Sequence, residues 1–237
     1  KGKPEFLITK PLVEKIRYGV KEFRDSNYEK ASTTSKALLN WWFNTENTEG
    51  FKYYFAQREA IETLVFLHDV IKIEKNKDLL VFDSSEKMTD EFFQETWNRQ
   101  LIKMATGAGK TKVLSLAIAW SYFHKLYEKD SDLSSNFLVV APNIIVLERL
   151  LTDLGKDLKI FTSDPIIPPN GYEGLDWNKD FKLNVHIQDE INPHDNKHNL
   201  FITNVHRIYQ SRKNVEEEFL NYLSGEVKNP SLENSPL

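Results

Sequence analysis

One octapeptide restricts what this chain can fold into: Met104-Ala-Thr-Gly-Ala-Gly-Lys-Thr111. It follows a short apolar run, Leu101-Ile102, and opens a long apolar stretch from Val113 to Leu126. Strand, glycine loop, Lys-Thr and helix, in that order, is the layout of a phosphate-binding loop. Gly107 and Gly109 carry no Cβ, so the backbone can bend tightly and aim its N–H groups at phosphate oxygens. The helix N-terminus behind the loop adds partial positive charge and free donors. Lys110 is placed to reach the β- and γ-phosphates, and the Thr111 hydroxyl to ligate Mg²⁺. Met104 stands where the full G-x-x-x-x-G-K-[ST] pattern has its first glycine.

A chain of 237 residues with 15 Phe, 9 Tyr and 5 Trp can build a sizeable core. The net charge of −4 argues against a basic nucleic-acid coat protein, but not against a motor that grips DNA through a local groove. With no cysteine, disulfides, thiolate-bound zinc and a thiol nucleophile are excluded, and a cytoplasmic location fits. No run of 18 apolar residues predicts a membrane span.

In chain order, residues 1–50 read as a helical N-terminal region. A helix after Pro11 carries Leu12, Ile16, Val20 and Phe23, and Thr33-Thr34-Ser35 offers an N-cap for a second. Within that second helix the pair Trp41-Trp42 reads as core packing. From Phe51 to Glu74 the stripe Ala60, Ile61, Leu64, Leu67, Val70, Ile71 predicts a third helix. Residues 75–97 read as an inserted excursion, a hairpin or helix. The helix after Lys110 is apolar nearly all round, as expected of one buried on both sides. Phe137 to Pro142 reads as a buried parallel strand, followed by a helix capped by Asn143 and stopped at Gly155. Residues 161–182 read as loop, and Leu183–Ile187 and Leu200–Asn204 as further strands. After Val215 an acidic helix start gives way to a tail marked by Pro230 and Pro236. Alternating strands and helices point to an α/β fold with a parallel sheet flanked by helices.

The spelling Ala105-Thr-Gly-Ala-Gly-Lys-Thr111 resembles motif I of superfamily 2 helicases and translocases, of the DEAD/DEAH type. The longer string Lys103 to Trp120, with Tyr54-Phe-Ala-Gln-Arg-Glu-Ala-Ile-Glu-Thr63 and Leu200-Phe-Ile-Thr-Asn-Val-His-Arg207, resembles the Res subunit of type III restriction enzymes. The resemblance implies that residues 51–237 are part of a first RecA-like domain, binding ATP with Mg²⁺. It places Ala105, Thr106, Gly107, Ala108, Gly109, Lys110 and Thr111 on the phosphates, with Lys110 and Thr111 catalytic and Thr111 on the metal. Gln57, in a Q-motif-like stretch, would pair with adenine beside Phe55 or Tyr54, since an amide offers the donor and acceptor that adenine demands. Pro142 and Asn143 resemble motif Ia. They join Thr203, Asn204 and Arg207 as contacts to a nucleic-acid backbone, with His206, Arg212 and Lys213 nearby. The implied activity is ATP-driven translocation along double-stranded DNA, coupled to cleavage by a nuclease domain and to target recognition by a methyltransferase subunit.

Motif II, an Asp-Glu-x-His box, is expected downstream of Leu237, so the chain alone is expected to bind Mg–ATP weakly and turn it over negligibly. Asp189-Glu190-Ile-Asn-Pro-His194 imitates the box, but its fourth residue is Asn192 and proline follows. His194 and His198 have zinc-like i, i+4 spacing in what reads as a turn, and no metal beyond Mg²⁺ is expected. A P-loop kinase or other nucleotide transferase, and a binding module without catalysis, stay open as alternatives.

Overall fold

The computed structural model describes residues 12–44, 50–93, 97–169, 174–188 and 197–208. The acidic stretch after Val215, the pair Arg212 and Lys213, and the imitation box at 189–194 lie outside them. The chain divides into two units, residues 1–134 with 160–181, and residues 135–159 with 182–237.

The first unit is helical. Helix α1 (Val13–Asp25) begins close to the expected place after Pro11. Helix α2 (Thr33–Phe43) is capped one residue earlier than the sequence indicates, the Ser32 hydroxyl accepting from the Ser35 N–H. Helix α3 (Phe55–Val65) carries the expected stripe, then widens into a π-turn over Phe66–Val70. Helix α4 (Lys110–Tyr127) follows the glycine loop. Val20, Leu38, Leu39, Ile61, Leu116 and Phe123 are all fully buried, and they form the core where α1, α2, α3 and α4 meet. Trp42 is 2 % exposed and donates to the Ile166 carbonyl at 2.7 Å, so it packs inward as expected, while Trp41 is half-buried and donates to the Pro165 carbonyl at 2.9 Å.

Three expectations need correction here. Residues 75–97 form neither hairpin nor α-helix where described, but 3-10 turns at Asn76–Phe82 and Asp90–Phe92. Residues 161–182 are not simply loop: α6 (Lys159–Ser163) and α7 (Trp177–Asp180) lie there. Aromatic packing orders that return. Trp177 and Phe181 stand 4.5 and 5.8 Å from Phe123 on α4, and Tyr122 donates to the Asp180 carbonyl at 2.8 Å. Such ring pairs add stabilisation beyond buried area, which proline and glycine counts do not register. Finally, Leu101-Ile102 is not a strand. An extended segment is held as a strand only by a ladder partner. None pairs with it among the described residues, and Leu101 is 89 % exposed.

The second unit carries the sheet. Strands β1 (Phe137–Ala141), β2 (Asn184–Ile187) and β3 (Asn199–Asn204) are parallel, in the order β1-β3-β2. Helix α5 (Ile144–Leu154) packs on β1 and β3 through the buried Leu147 and Leu154, its N-terminus capped by Asn143, whose side-chain oxygen accepts from the Val146 N–H at 2.9 Å. A short helix, α8 (Val205–Ile208), leaves the end of β3. Among the described residues no helix is long and apolar enough to cross a membrane.

Candidate functional site: a glycine loop seated on a buried glutamine

The loop from Met104 to Gly109 ends in two left-handed glycines, Gly107 at φ +81° and Gly109 at φ +78°. L-residues with a Cβ rarely adopt that conformation, so glycine is what lets the chain turn into α4. Gly109 is the N-cap of α4, and no side chain caps the helix there. The first N–H groups of the helix therefore remain available at the loop, together with the positive end of an 18-residue helix. The Lys110 ammonium folds back over the loop, donating to the carbonyls of Met104 at 3.0 Å and Ala105 at 2.8 Å. Thr111, on the first turn of α4, is partly exposed.

Gln57 is 1 % exposed and sits beneath this loop. Its amide donates to the Ala108 carbonyl at 3.1 Å, and its carbonyl accepts from the Tyr54 N–H at 2.9 Å. In this geometry the amide bridges the start of α3 to the glycine loop, which differs from an outward-facing adenine contact. The approach is close: a Cβ on Gly109 would lie 2.2 Å from the Gln57 Nε2. Gly109→Ala thus faces both a clash and a positive φ. Its nucleotide affinity is expected to fall about tenfold or more, and Gln57→Ala in the same chain to restore only the part due to the clash. A double-mutant cycle on nucleotide binding checks this; full restoration would mean that φ carries no strain.

An apolar groove of about 610 Å³ runs along α1, α3 and the flank of the loop, lined by Phe55, Leu64, Leu101, Met104, Ala105 and Ala108 among others. Phe55 is 67 % exposed there, with the Arg24 guanidinium over its ring at 5.2 Å. On another side lies a cavity of about 650 Å³ lined by Trp42, Phe43, Phe51, Tyr53 and Arg58. The Lys112 ammonium lies 5.1 Å from the Phe51 ring and forms an ion pair with Asp164. Burial pushes the Tyr53 hydroxyl well above its ordinary pKa, keeping it neutral, and the nearby Asp164 charge adds to this. Sequence reasoning missed this aromatic cavity. The cluster Phe51-Lys-Tyr-Tyr-Phe55 was its available signal, because aromatics just ahead of a phosphate loop have flat faces for a base.

The expected backbone contacts belong to the second unit. Register partners Val140↔Thr203 and Ala141↔Asn204 align the carboxyl ends of β1 and β3, so Pro142, Asn143, Thr203 and Asn204 share one sheet edge. Ligands of open parallel sheets bind at such edges. Pro142 and Asn143 are exposed and Thr203 partly so, but Asn204 is 7 % exposed and faces inward. Arg207 lies in α8, and its side chain is outside the described residues.

Searches of curated proteins and of solved structures found no match. Residues 51–225 match the family model described as type III restriction enzyme, res subunit. That span begins ahead of Gln57, contains the whole glycine loop and runs past the sheet edge at Asn204. The chain therefore belongs to the res-subunit family of type III restriction enzymes, a group with a DEAD/DEAH-type, superfamily 2 helicase-like domain of RecA-like fold.

Proposed function

We propose that the chain is the ATP-binding part of a DNA-dependent translocase, working as a subunit of a type III restriction-like endonuclease with a methyltransferase partner. The observation that carries this reading is the loop 104–109: two left-handed glycines, an uncapped helix N-terminus and the Lys110 ammonium meet at one place. In this scheme the loop amides and Lys110 hold the β- and γ-phosphates of ATP, and the Thr111 hydroxyl ligates Mg²⁺. Their electrostatics stabilise charge on the transferring γ-phosphoryl, with water as nucleophile.

The adenine end is assigned to the Phe55 side, because that groove is lined by Met104, Ala105 and Ala108 of the loop itself. Gln57 then acts mainly by fixing the height of the loop, and any contact of its amide with the base requires the bond to Ala108 to loosen. Pro142, Asn143, Thr203 and Arg207 are assigned to the DNA backbone, and Asn204 to orienting that edge from within.

The test is equilibrium binding of a fluorescent ATP analogue with and without Mg²⁺, followed by competition with ATP, GTP and inorganic triphosphate. The expected result is Mg²⁺-dependent binding in which Phe55→Ala weakens ATP about tenfold, a stacking loss of 1–3 kcal/mol, and leaves triphosphate unchanged. Absence of Mg²⁺-dependent binding would overturn the reading. Equal weakening of ATP and triphosphate would move the base to the Phe51–Tyr53 cavity.

A further inference from the structure

At the far end of α4 from the glycine loop, two histidines and an aspartate converge. His124 lies fourteen residues after Lys110, about 21 Å along the helix axis. His68 and Asp69 come from the π-turn that ends α3. Adjacent residues of a regular α-helix point about 100° apart. Here the widened turn brings both side chains together, with His68 Nδ1 2.7 Å from Asp69 Oδ1. The His124 Nε2 lies 3.4 Å from the same oxygen. Each residue offers one ligand atom, and the three atoms all fall within 4.8 Å of one another. Asp69 and His124 are 4 % and 6 % exposed.

The outer atom of each group is also held. His68 Nε2 pairs with Asp132 Oδ1 at 2.7 Å, and His124 Nδ1 with the Ser131 hydroxyl at 2.7 Å. Asp69 Oδ2 accepts from the Ser32 N–H at 2.9 Å. This is the outer-shell arrangement that metal-bound histidines and carboxylates show, where a partner on the far atom fixes tautomer and orientation. Metal bonds of 2.0–2.1 Å at tetrahedral angles place ligand atoms roughly 3.3 Å apart. The 3.4 Å contact already fits, the 2.7 Å contact must open by about 0.6 Å, and the two imidazole nitrogens, within 4.8 Å of each other, must close by up to about 1.5 Å through rotation of the half-buried His68 ring. Part of the His68 side chain, 19 % exposed, and Asp132, 79 % exposed, provide a route in.

We propose that His68 Nδ1, Asp69 Oδ1 and His124 Nε2 bind one divalent transition-metal ion of the zinc class, with Asp132 and Ser131 orienting the two imidazoles. Two imidazole nitrogens and one carboxylate oxygen suit Zn²⁺ or Co²⁺ and leave a fourth position for water. Both His68 Nδ1 and His124 Nε2 face Asp69 Oδ1, and each must present a bare nitrogen to the ion, so any proton held there passes to solvent or to the far ring atom, against Asp132 or Ser131, as the ion enters. The ion ties the π-turn to the last turns of α4, and through Ser32 to the start of α2, so its role is structural and remote from the phosphates.

The experiment is a Co²⁺ titration of the chelator-treated full chain, followed by visible absorption, then displacement by Zn²⁺. The expected result is an intense tetrahedral-type band that saturates at one equivalent. His124→Gln is expected to weaken it about a hundredfold or more with the circular dichroism retained, and Asp132→Asn about tenfold. His194→Ala with His198→Ala is expected to change nothing. A parent chain without a saturable band, or an unchanged titration in His124→Gln, overturns the proposal. Should His124→Gln fail to fold, the exposed Asp132→Asn decides, and unchanged affinity there overturns it.

Discussion

Lys110→Ala is expected to lose about tenfold to a hundredfold in affinity for Mg–ATP while leaving the fold intact. An ammonium offers three donors. Two are engaged by the carbonyls of Met104 and Ala105, which brings the charge to the centre of the loop and leaves a donor for a phosphate oxygen. A hydrogen bond between charged partners contributes about 1.5–3 kcal/mol, which sets the tenfold-to-hundredfold range. Because the same ammonium also bridges two loop carbonyls, its removal loosens the loop as well, and the larger figure is the better expectation. Lys110 is exposed and its ammonium bonds loop carbonyls, not the core, so far-UV circular dichroism and the melting temperature should match the parent. Lys110→Arg keeps the charge, but its planar fork cannot meet both carbonyls and a phosphate as a point charge does, so it should recover only part of the affinity. Isothermal titration with Mg–ATP makes the comparison. A Lys110→Ala protein that binds within about twofold of the parent would remove the phosphate role from this loop, since an engaged charge–charge contact contributes more than that.

Much of the architecture was readable because it is local. Asn143 announces α5 through a cap that needs only the Val146 N–H three residues on, and Gly155 closes it. The β1 and β3 runs are short, apolar and close to where their patterns end. Hidden features depend on partners distant in sequence. Gln57 and Ala108 are linked by one hydrogen bond across 51 residues, and nothing in the Q-like stretch says that its amide will be turned under the loop. The placement of Trp177 and Phe181 comes from rings on α4, which no proline count can weigh. His68 and His124 carry no motif spacing at all; only the π-turn and the pitch of α4 bring them together. Leu101-Ile102 failed in the opposite sense, since β propensity without a ladder partner does not make a strand.

The largest stability effect is expected at Glu62, a fully buried carboxylate on α3. Its oxygens accept from Arg24 Nε at 2.7 Å, Arg58 Nε at 2.7 Å and the Tyr28 hydroxyl at 2.6 Å. Arg24 also pairs with Glu59, and Arg58 donates to the Tyr28 hydroxyl at 2.9 Å. Burial opposes the Arg24 charge, but its bonds to Glu62 and Glu59 outweigh this and hold its pKa above the ordinary value. Burial, reinforced by Glu62, keeps the Tyr28 phenol neutral. Glu62→Ala removes the one group that satisfies all three donors and leaves two guanidinium groups facing a cavity. Breaking a buried pair in this way costs about 3–5 kcal/mol. For a chain of this size each kcal/mol lowers the melting temperature by about 2–4 °C, so a fall on the order of 10 °C is expected. The contrast is Lys21→Ala. That residue pairs with Asp25 at side-chain exposures of 66 % and 57 %, where solvent screens the charges, so its melting temperature should stay close to the parent's. Glu62→Gln separates charge from shape. It retains an acceptor for Tyr28 but puts an amide N–H against an arginine, so it should fall between the two. Thermal melts of the three variants side by side measure this order. If Glu62→Ala melted within about 2 °C of the parent, the carboxylate would not organise α1 and α3, and the helical unit would be held by its apolar contacts alone.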